Sequence, residues 1–147
     1  MEYSYKFRIY PNAEQRALIQ KTFGCSRFVY NHFLAQRISE YKATGKAPTR
    51  FQQDKMLTAL KREILWLKEV DSIPLQAELQ NLDSAYQGFF RRVKKGEKPG
   101  FPRFKSKRDR RKSYKTKQHI TNGKPTIYVD DKHIRLPKLG LVKCRIS

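Results

Sequence analysis

Between Arg91 and Lys117 the chain carries fourteen lysines and arginines against Glu97 and Asp109, a net +12 of the +20 formal charge of its 147 residues. Phe89, Phe90, Phe101, Phe104 and Tyr114 lie inside or beside this run. Cations neutralise phosphates and release counterions, and aromatic faces stack on bases, so the mixture points to a nucleic-acid surface. The backbone-contacting candidates are Arg91, Arg92, Lys94, Lys95, Arg103, Lys105, Lys107, Arg108, Arg110, Arg111, Lys112 and Lys115. Charge alone would also describe a solvated linker. The interleaved rings, with turn signals at Pro99, Gly100 and Pro102, favour an ordered segment facing a polyanion.

Catalytic chemistry is thinly represented. Two-metal cleavage of nucleic acid needs carboxylates converging from several elements. Asp130 and Asp131 are instead neighbours at an expected turn, where aspartate serves turn geometry. Cys25 and Cys144 form no CxxC pair and His32, His119 and His133 are scattered, so no zinc spacing exists. There is no glycine-rich phosphate loop, GxSxG elbow or Cys/His nucleophile pattern. The expectation is a binding chain without a cofactor or metal site of its own.

Length and charge bound the rest. The chain is long enough for one domain with a real core. A pI near 10.2 with 31% charged residues favours nucleic acid over a membrane surface, since no amphipathic segment carries a large apolar face. No run of eighteen apolar residues and no charged-then-apolar leader is present, so the expected location is the cytoplasm.

The run must be held by ordered elements. Leu75, Leu79, Leu82, Tyr86, Phe89 and Val93 fall on one stripe of a helix over about residues 74 to 95, with Pro74 in its first turn and Gly96 as its stop. Residues 3 to 10 alternate, with Tyr3, Tyr5, Phe7 and Ile9 on one face and Lys6, Arg8 and Tyr10 on the other, which predicts a half-buried strand. Asn12 with Gln15 reads as a capping pair for a helix from Ala13 to about Thr22, burying Ala17, Leu18 and Phe23. Gly24 should break or bend it before a second helix to about Ala43. These two could form a groove-reading helix-turn-helix using Arg27, Asn31 and Gln36, or simply pack. Thr49 with Gln52 caps a third helix to about Lys68, giving a four-helix unit over residues 12 to 96. Residues 126–129, 133–136 and 141–146 read as strands, and residues 113–120 as a further candidate. A lone N-terminal strand is unstable, so it should pair with these. The expected fold is α+β: a small β-barrel from residues 1–11 and 97–147, with the helices inserted.

Five segments in order, YKFRIYPNAEQ (Tyr5 to Gln15), GCSRFVYNHFL (Gly24 to Leu34), LQAELQNLDSAYQGFFRRVK (Leu75 to Lys94), GFPRFKSK (Gly100 to Lys107) and RLPKLGLVK (Arg135 to Lys143), resemble the N-terminal part of the TnpB (OrfB) family. These are transposon-encoded RNA-guided DNA nucleases related to type V CRISPR effectors. The resemblance implies a wedge-like β-barrel interrupted by a helical recognition domain that holds guide RNA and guide-target heteroduplex. It also implies a face reading a short transposon-adjacent motif on duplex DNA. By similarity that face would include Gln76, with Arg50, Asp54, Thr121 and Asn122. The plain alternatives are that Arg50 and Asp54 are first-turn surface residues and that Thr121, Asn122 and Gly123 are only a hairpin turn. The family's RuvC-like nuclease domain and zinc ribbon, with the divalent metal of cleavage, are not expected within this sequence. The implied partners are guide RNA and duplex target DNA. A stand-alone DNA-binding regulator of a transposable element is the competing expectation.

Overall fold

The computed structural model describes residues 3–108 and 113–146. Strand β1 (Phe7–Tyr10) leads into α1 (Ala13–Thr44), α2 (Arg50–Glu63), a short 3-10 helix (Leu65–Glu69) and α3 (Ser72–Lys94). Beyond the basic segment come β2 (Ile120–Thr121), β3 (Lys124–Pro125), β4 (Tyr128–Val129), β5 (His133–Leu136) and β6 (Gly140–Ile146).

Both expected capping boxes form. The Asn12 side chain accepts the Gln15 N–H at 2.8 Å and the Gln15 side chain accepts the Asn12 N–H at 3.0 Å. Thr49 and Gln52 do the same at 2.9 and 3.2 Å. Helix α3 begins at Ser72, with Asp71 accepting the Ile73 N–H. It ends as its sequence suggests, with Gly96 in the left-handed region (φ 71°). The N–H groups of Glu97 and Gly96 then bond the carbonyls of Arg92 and Val93, a Schellman closure.

The expected break at Gly24 does not occur, because α1 is one helix of 32 residues. A glycine inside a helix costs about 1 kcal/mol relative to alanine. Ile19, Thr22, Cys25, Ser26 and Val29 form a continuous buried stripe on either side of it, and that burial decides the outcome. Ala17, expected inside, is exposed, and Ile19 occupies the interior. The expected third helix divides at Ile64, whose backbone (φ −104°, ψ 88°) leaves the helical region and lets Leu67 turn fully into the core. The helical unit is therefore three α-helices and a 3-10 turn, not four helices.

Contacts fix the directions. Arg37 of α1 reaches Gln53 of α2 at 2.9 Å and Asp83 of α3 at 3.1 Å, and lies over the Tyr86 ring at 4.9 Å. Lys105 touches Tyr30 and Glu78 together, so α1 and α3 run parallel. Gln36 meets Gln53 and Met56 of α2 while Cys25 and Phe28 meet Trp66 just beyond it, so α2 runs antiparallel to α1. Their core holds Val29, Phe33, Leu34, Leu57, Leu67, Leu75, Leu79 and Leu82, while Val93 at the far end of the α3 stripe is 50% exposed.

The described residues form no closed barrel. One antiparallel sheet has the order β1-β6-β5-β4, and β2 and β3 form a separate hairpin. Closure needs enough tilted, staggered strands to bring the edges together, and the edge strand β4 is only two residues long. The N-terminal strand does pair with the last, Phe7 opposite Ile146 and Tyr10 opposite Lys143. Phe7, Ile9, Ile134, Leu136 and Val142 form a second small core on one face, whereas Tyr3 and Tyr5, expected on that face, are 72% and 71% exposed.

Leu82 is 0% exposed at the α1/α3 seam. Leu82→Ala is expected to lower unfolding free energy by about 2–5 kcal/mol, measured by urea titration. Val93→Ala should change it by less than about 0.5 kcal/mol. Equal midpoints for the two variants would contradict the seam.

Candidate nucleic-acid interface

The basic segment is strapped back along the parallel α1/α3 pair. Arg92 donates to the carbonyls of Pro99 at 2.7 Å and Gly100 at 3.3 Å, turning the chain at the end of α3. Phe101 then sits edge-on against Tyr86 and Phe89. Further on, the Asn31 side chain bonds both ways with the Lys105 backbone, accepting its N–H at 2.7 Å and donating to its carbonyl at 2.8 Å. Tyr114 meets Phe23 edge-on, and the Thr116 hydroxyl donates to Asp71 at the start of α3. The strap contacts thus pass from Tyr86 of α3 to Asp71 at its N-cap, so the strap runs antiparallel to both helices.

This path sorts the candidate cations. Arg91, Lys94, Lys95, Arg103, Lys107, Arg108 and Lys115 are exposed. Arg92 is committed to the turn. Lys105 faces inward, its ammonium 3.0 Å from the buried Glu78 carboxylate and 4.3 Å from the Tyr30 ring centroid. Arg110, Arg111 and Lys112 lie outside the described residues. Phe90 (53%), Phe101 (45%) and Phe104 (55%) keep exposed ring surface among the outward cations. The interleaving of rings and charge is therefore realised on the surface.

The motif-reading candidates fall at two ends. Gln76 is exposed near the start of α3, beyond the Asp71 that binds Thr116. Thr121 and Asn122 follow five residues after Thr116, in the β2–β3 hairpin, where Asn122 (φ 54°) and Gly123 (φ 78°) give successive left-handed positions that twist the hairpin closed. Arg50 and Asp54 pair with each other at 3.9 Å at the opposite end, beside the C-terminal half of α1. Gln76 lies toward the end of α3 that Thr116 reaches, and Arg50 and Asp54 lie at the other end of the helical unit.

The residues that position the strap were not legible as such. Asn31 and Gln36, considered above as groove-facing amides, are internal struts, Gln36 engaging Gln53 and Met56. Arg37 and Glu78 are 5% and 2% exposed, although both residue types normally mark a surface. Asp130 accepts the N–H groups of Lys132 and His133, which hold its carboxyl below the usual range as a turn anchor. Among the described residues no three His, Cys, Asp or Glu side chains converge, and no helix is long and apolar enough to cross a membrane.

Burial of this strap residue against α1, reinforced by the Asp71 charge, pushes the Tyr114 phenol up to about 12. The neutral phenol is the form the fold favours. Its contribution is therefore complete below the ordinary phenol value of about 10 and is lost as pH rises through about 12. Urea unfolding across that window should show the wild type losing more stability than Tyr114→Phe, with the two alike at neutral pH. Parallel profiles would show that the Tyr114 side chain is not held against α1.

A family described as a helix-turn-helix domain, of OrfB in IS605-type elements, matches residues 1–46. Here its described part is β1 followed by the single helix α1. An inferred RNA-guided DNA endonuclease of Streptomyces pristinaespiralis is 37% identical over 112 residues, 75% of this chain and 27% of that protein. The inferred RNA-guided DNA endonuclease InsQ of Escherichia coli (strain K12) is 32% identical over 146 residues, 98% of this chain and 34% of its own. This chain thus spans about a quarter to a third of the length of these two. Virulence protein VsdF of Salmonella dublin is 35% identical over 111 residues, 69% of this chain and 91% of that protein. On these matches, the chain belongs to the TnpB/OrfB family.

Proposed function

We propose that this chain is the nucleic-acid-holding portion of an RNA-guided DNA endonuclease, binding a guide RNA from the transposon end and a short adjacent motif on duplex target DNA. The observation that carries this reading is the strap, whose backbone is fixed to α1 and α3 from inside while its cations and rings face out. A flexible basic tail would have to be ordered by each ligand, whereas here the phosphate-binding side chains start from a fixed line.

In this reading Arg91, Lys94, Lys95, Arg103, Lys107, Arg108 and Lys115 contact the RNA backbone, joined by Arg110, Arg111 and Lys112. Phe90, Phe101 and Phe104 offer ring faces to unstacked bases. Gln76, with Thr121 and Asn122, meets the duplex motif, while Arg50 and Asp54 support a second contact. Base pairing supplies most of the sequence information and the protein holds backbone and a few base edges. Cleavage and its divalent metal are assigned to the remaining length of such endonucleases, and the proposed partners place the work in the cytoplasm.

The test is a fluorescence titration at about 0.15 M salt, where exposed charges beyond about 8 Å are screened. Its ligands are transposon-end RNA, unrelated structured RNA of equal length, and duplex DNA. Preference for the transposon-end RNA is expected. The triple variant Arg103→Ala, Lys107→Ala, Arg108→Ala should reduce the slope of log K against log salt by about 2 to 3, with melting unchanged. Binding to duplex DNA alone would replace this reading with a stand-alone DNA-binding regulator, and an unaltered slope would remove the strap from the phosphate contact.

A further inference from the structure

Helix α1 turns one side to the strap through Asn31 and another to the 3-10 helix through Cys25 and Phe28. On that second side Lys21, Gly24, Cys25, Trp66 and Glu69 line an open cleft of about 190 Å³. The Phe28 ring stands edge-on to the Trp66 indole at 5.0 Å, and exposed His32 stacks on Phe28, so an aromatic strip continues from the cleft along α1. Trp66 is 45% exposed and its neighbour Leu65 64%. Nothing in the strap or the helical core uses this surface.

Two features separate this cleft from an ordinary dent in the surface. Gly24 has no explanation in its own fold: it lies inside a regular helix, and among the described residues a Cβ there would meet only the end of the Arg27 side chain, at 4.0 Å. Almost any other residue would fit and would stabilise the helix, so what glycine supplies is room for close approach from outside. At the mouth, Lys21 and Glu69 pair at 3.1 Å with side chains 61% and 52% exposed. A pair so exposed adds little to the fold, and both members are free to take new partners.

Size and charge select the occupant. The cleft is smaller than the roughly 300–1,000 Å³ of small-molecule sites and suits protein side chains. The Glu69 carboxylate at its mouth repels a phosphate. One cation beside one anion is a self-complementary pattern: a two-fold axis at the cleft sets each Lys21 against the other copy's Glu69 and lays Trp66 and Leu65 of each copy over the other's cleft. Most of the charge that would drive two such basic chains apart, +12 of +20, lies in the segment from Arg91 to Lys117 and stays outside the contact. We infer that this cleft is the contact between two copies of the chain, closed by exchange of the Lys21–Glu69 pair. The inference does not rest on the nucleic-acid reading above, and the two fail separately.

The test is sedimentation velocity of the whole chain, free of nucleic acid, in about 0.3 M salt, where repulsion between basic chains is screened beyond about 6 Å. A reversible dimer is expected, half formed on the order of 10 µM. Lys21→Glu opposes two acids across the axis and Glu69→Lys opposes two lysines. Each should weaken the dimer at least about tenfold, because every substitution acts twice in a two-fold contact. Mixing the two variants in equal amounts should restore association, since the reversed charges then face each other. An ion pair that serves only its own chain predicts no such rescue. Gly24→Leu fills the cleft and should abolish the dimer while raising the melting temperature, read at about 1 µM where the unaltered chain is monomeric. A monomer at every concentration up to about 200 µM, single charge variants that associate like the unaltered chain, a mixture that stays monomeric, or normal association of Gly24→Leu would each overturn the assignment.

Discussion

The arrangement depends on one buried contact, the clamp at Lys105. A chain segment with twelve net positive charges repels itself and gains little by lying against a protein of the same sign. Three contacts oppose that tendency here. Asn31 supplies the donor and acceptor that a neighbouring strand would have supplied to the Lys105 backbone. Glu78 takes the lysine ammonium in a nearly dry site, and the Tyr30 ring lies beneath it. A hydrogen bond to a charged group contributes about 1.5–3 kcal/mol. Together with the two Asn31 bonds it offsets the ordering of one or two backbone residues at about 1–2 kcal/mol each. The lysine at the centre of the cationic segment is thus an anchor, and its neighbours are left to face a ligand.

The same logic operates within the helical unit. Arg37 lies between Gln53, Asp83 and the Tyr86 ring, so a polar network ties all three helices at one level of an otherwise apolar core. Buried networks of this kind are costly when incomplete and select a single packing when satisfied. Because Arg37 sets the level of α3 against α1, it also sets where Tyr86 meets Phe101 and hence where the strap begins. The interior arginine and the basic surface are linked through two ring contacts.

The legible parts were those written in local spacing. The capping boxes at Asn12 and Thr49, the Gly96 stop, the seam from Leu75 to Tyr86 and the β5 and β6 strands all follow from neighbouring residues. Gly24 misled because helix propensity is a local preference, and the buried stripe crossing it is a tertiary fact. The barrel misled because strand count and closure depend on which edges meet, which spacing does not encode. Within the site, charge and aromatic composition marked the right segment, but direction was hidden: Lys105 and Arg103 look alike in sequence and point oppositely. Asn31 and Glu78, which decide that direction, lie 74 and 27 residues from Lys105.

The most direct measurement of the strap is amide hydrogen exchange at the Lys105 N–H in the chain without nucleic acid. If the segment is clamped before ligand arrives, that amide is protected to within about tenfold of the α3 core amides at Leu79 and Leu82. Asn31→Ala should return it to the rate of an open loop while the α3 amides stay protected. Loop-like exchange at Lys105 in the unaltered chain would mean that the basic segment is ordered only by its ligand, and that the preformed phosphate line does not exist.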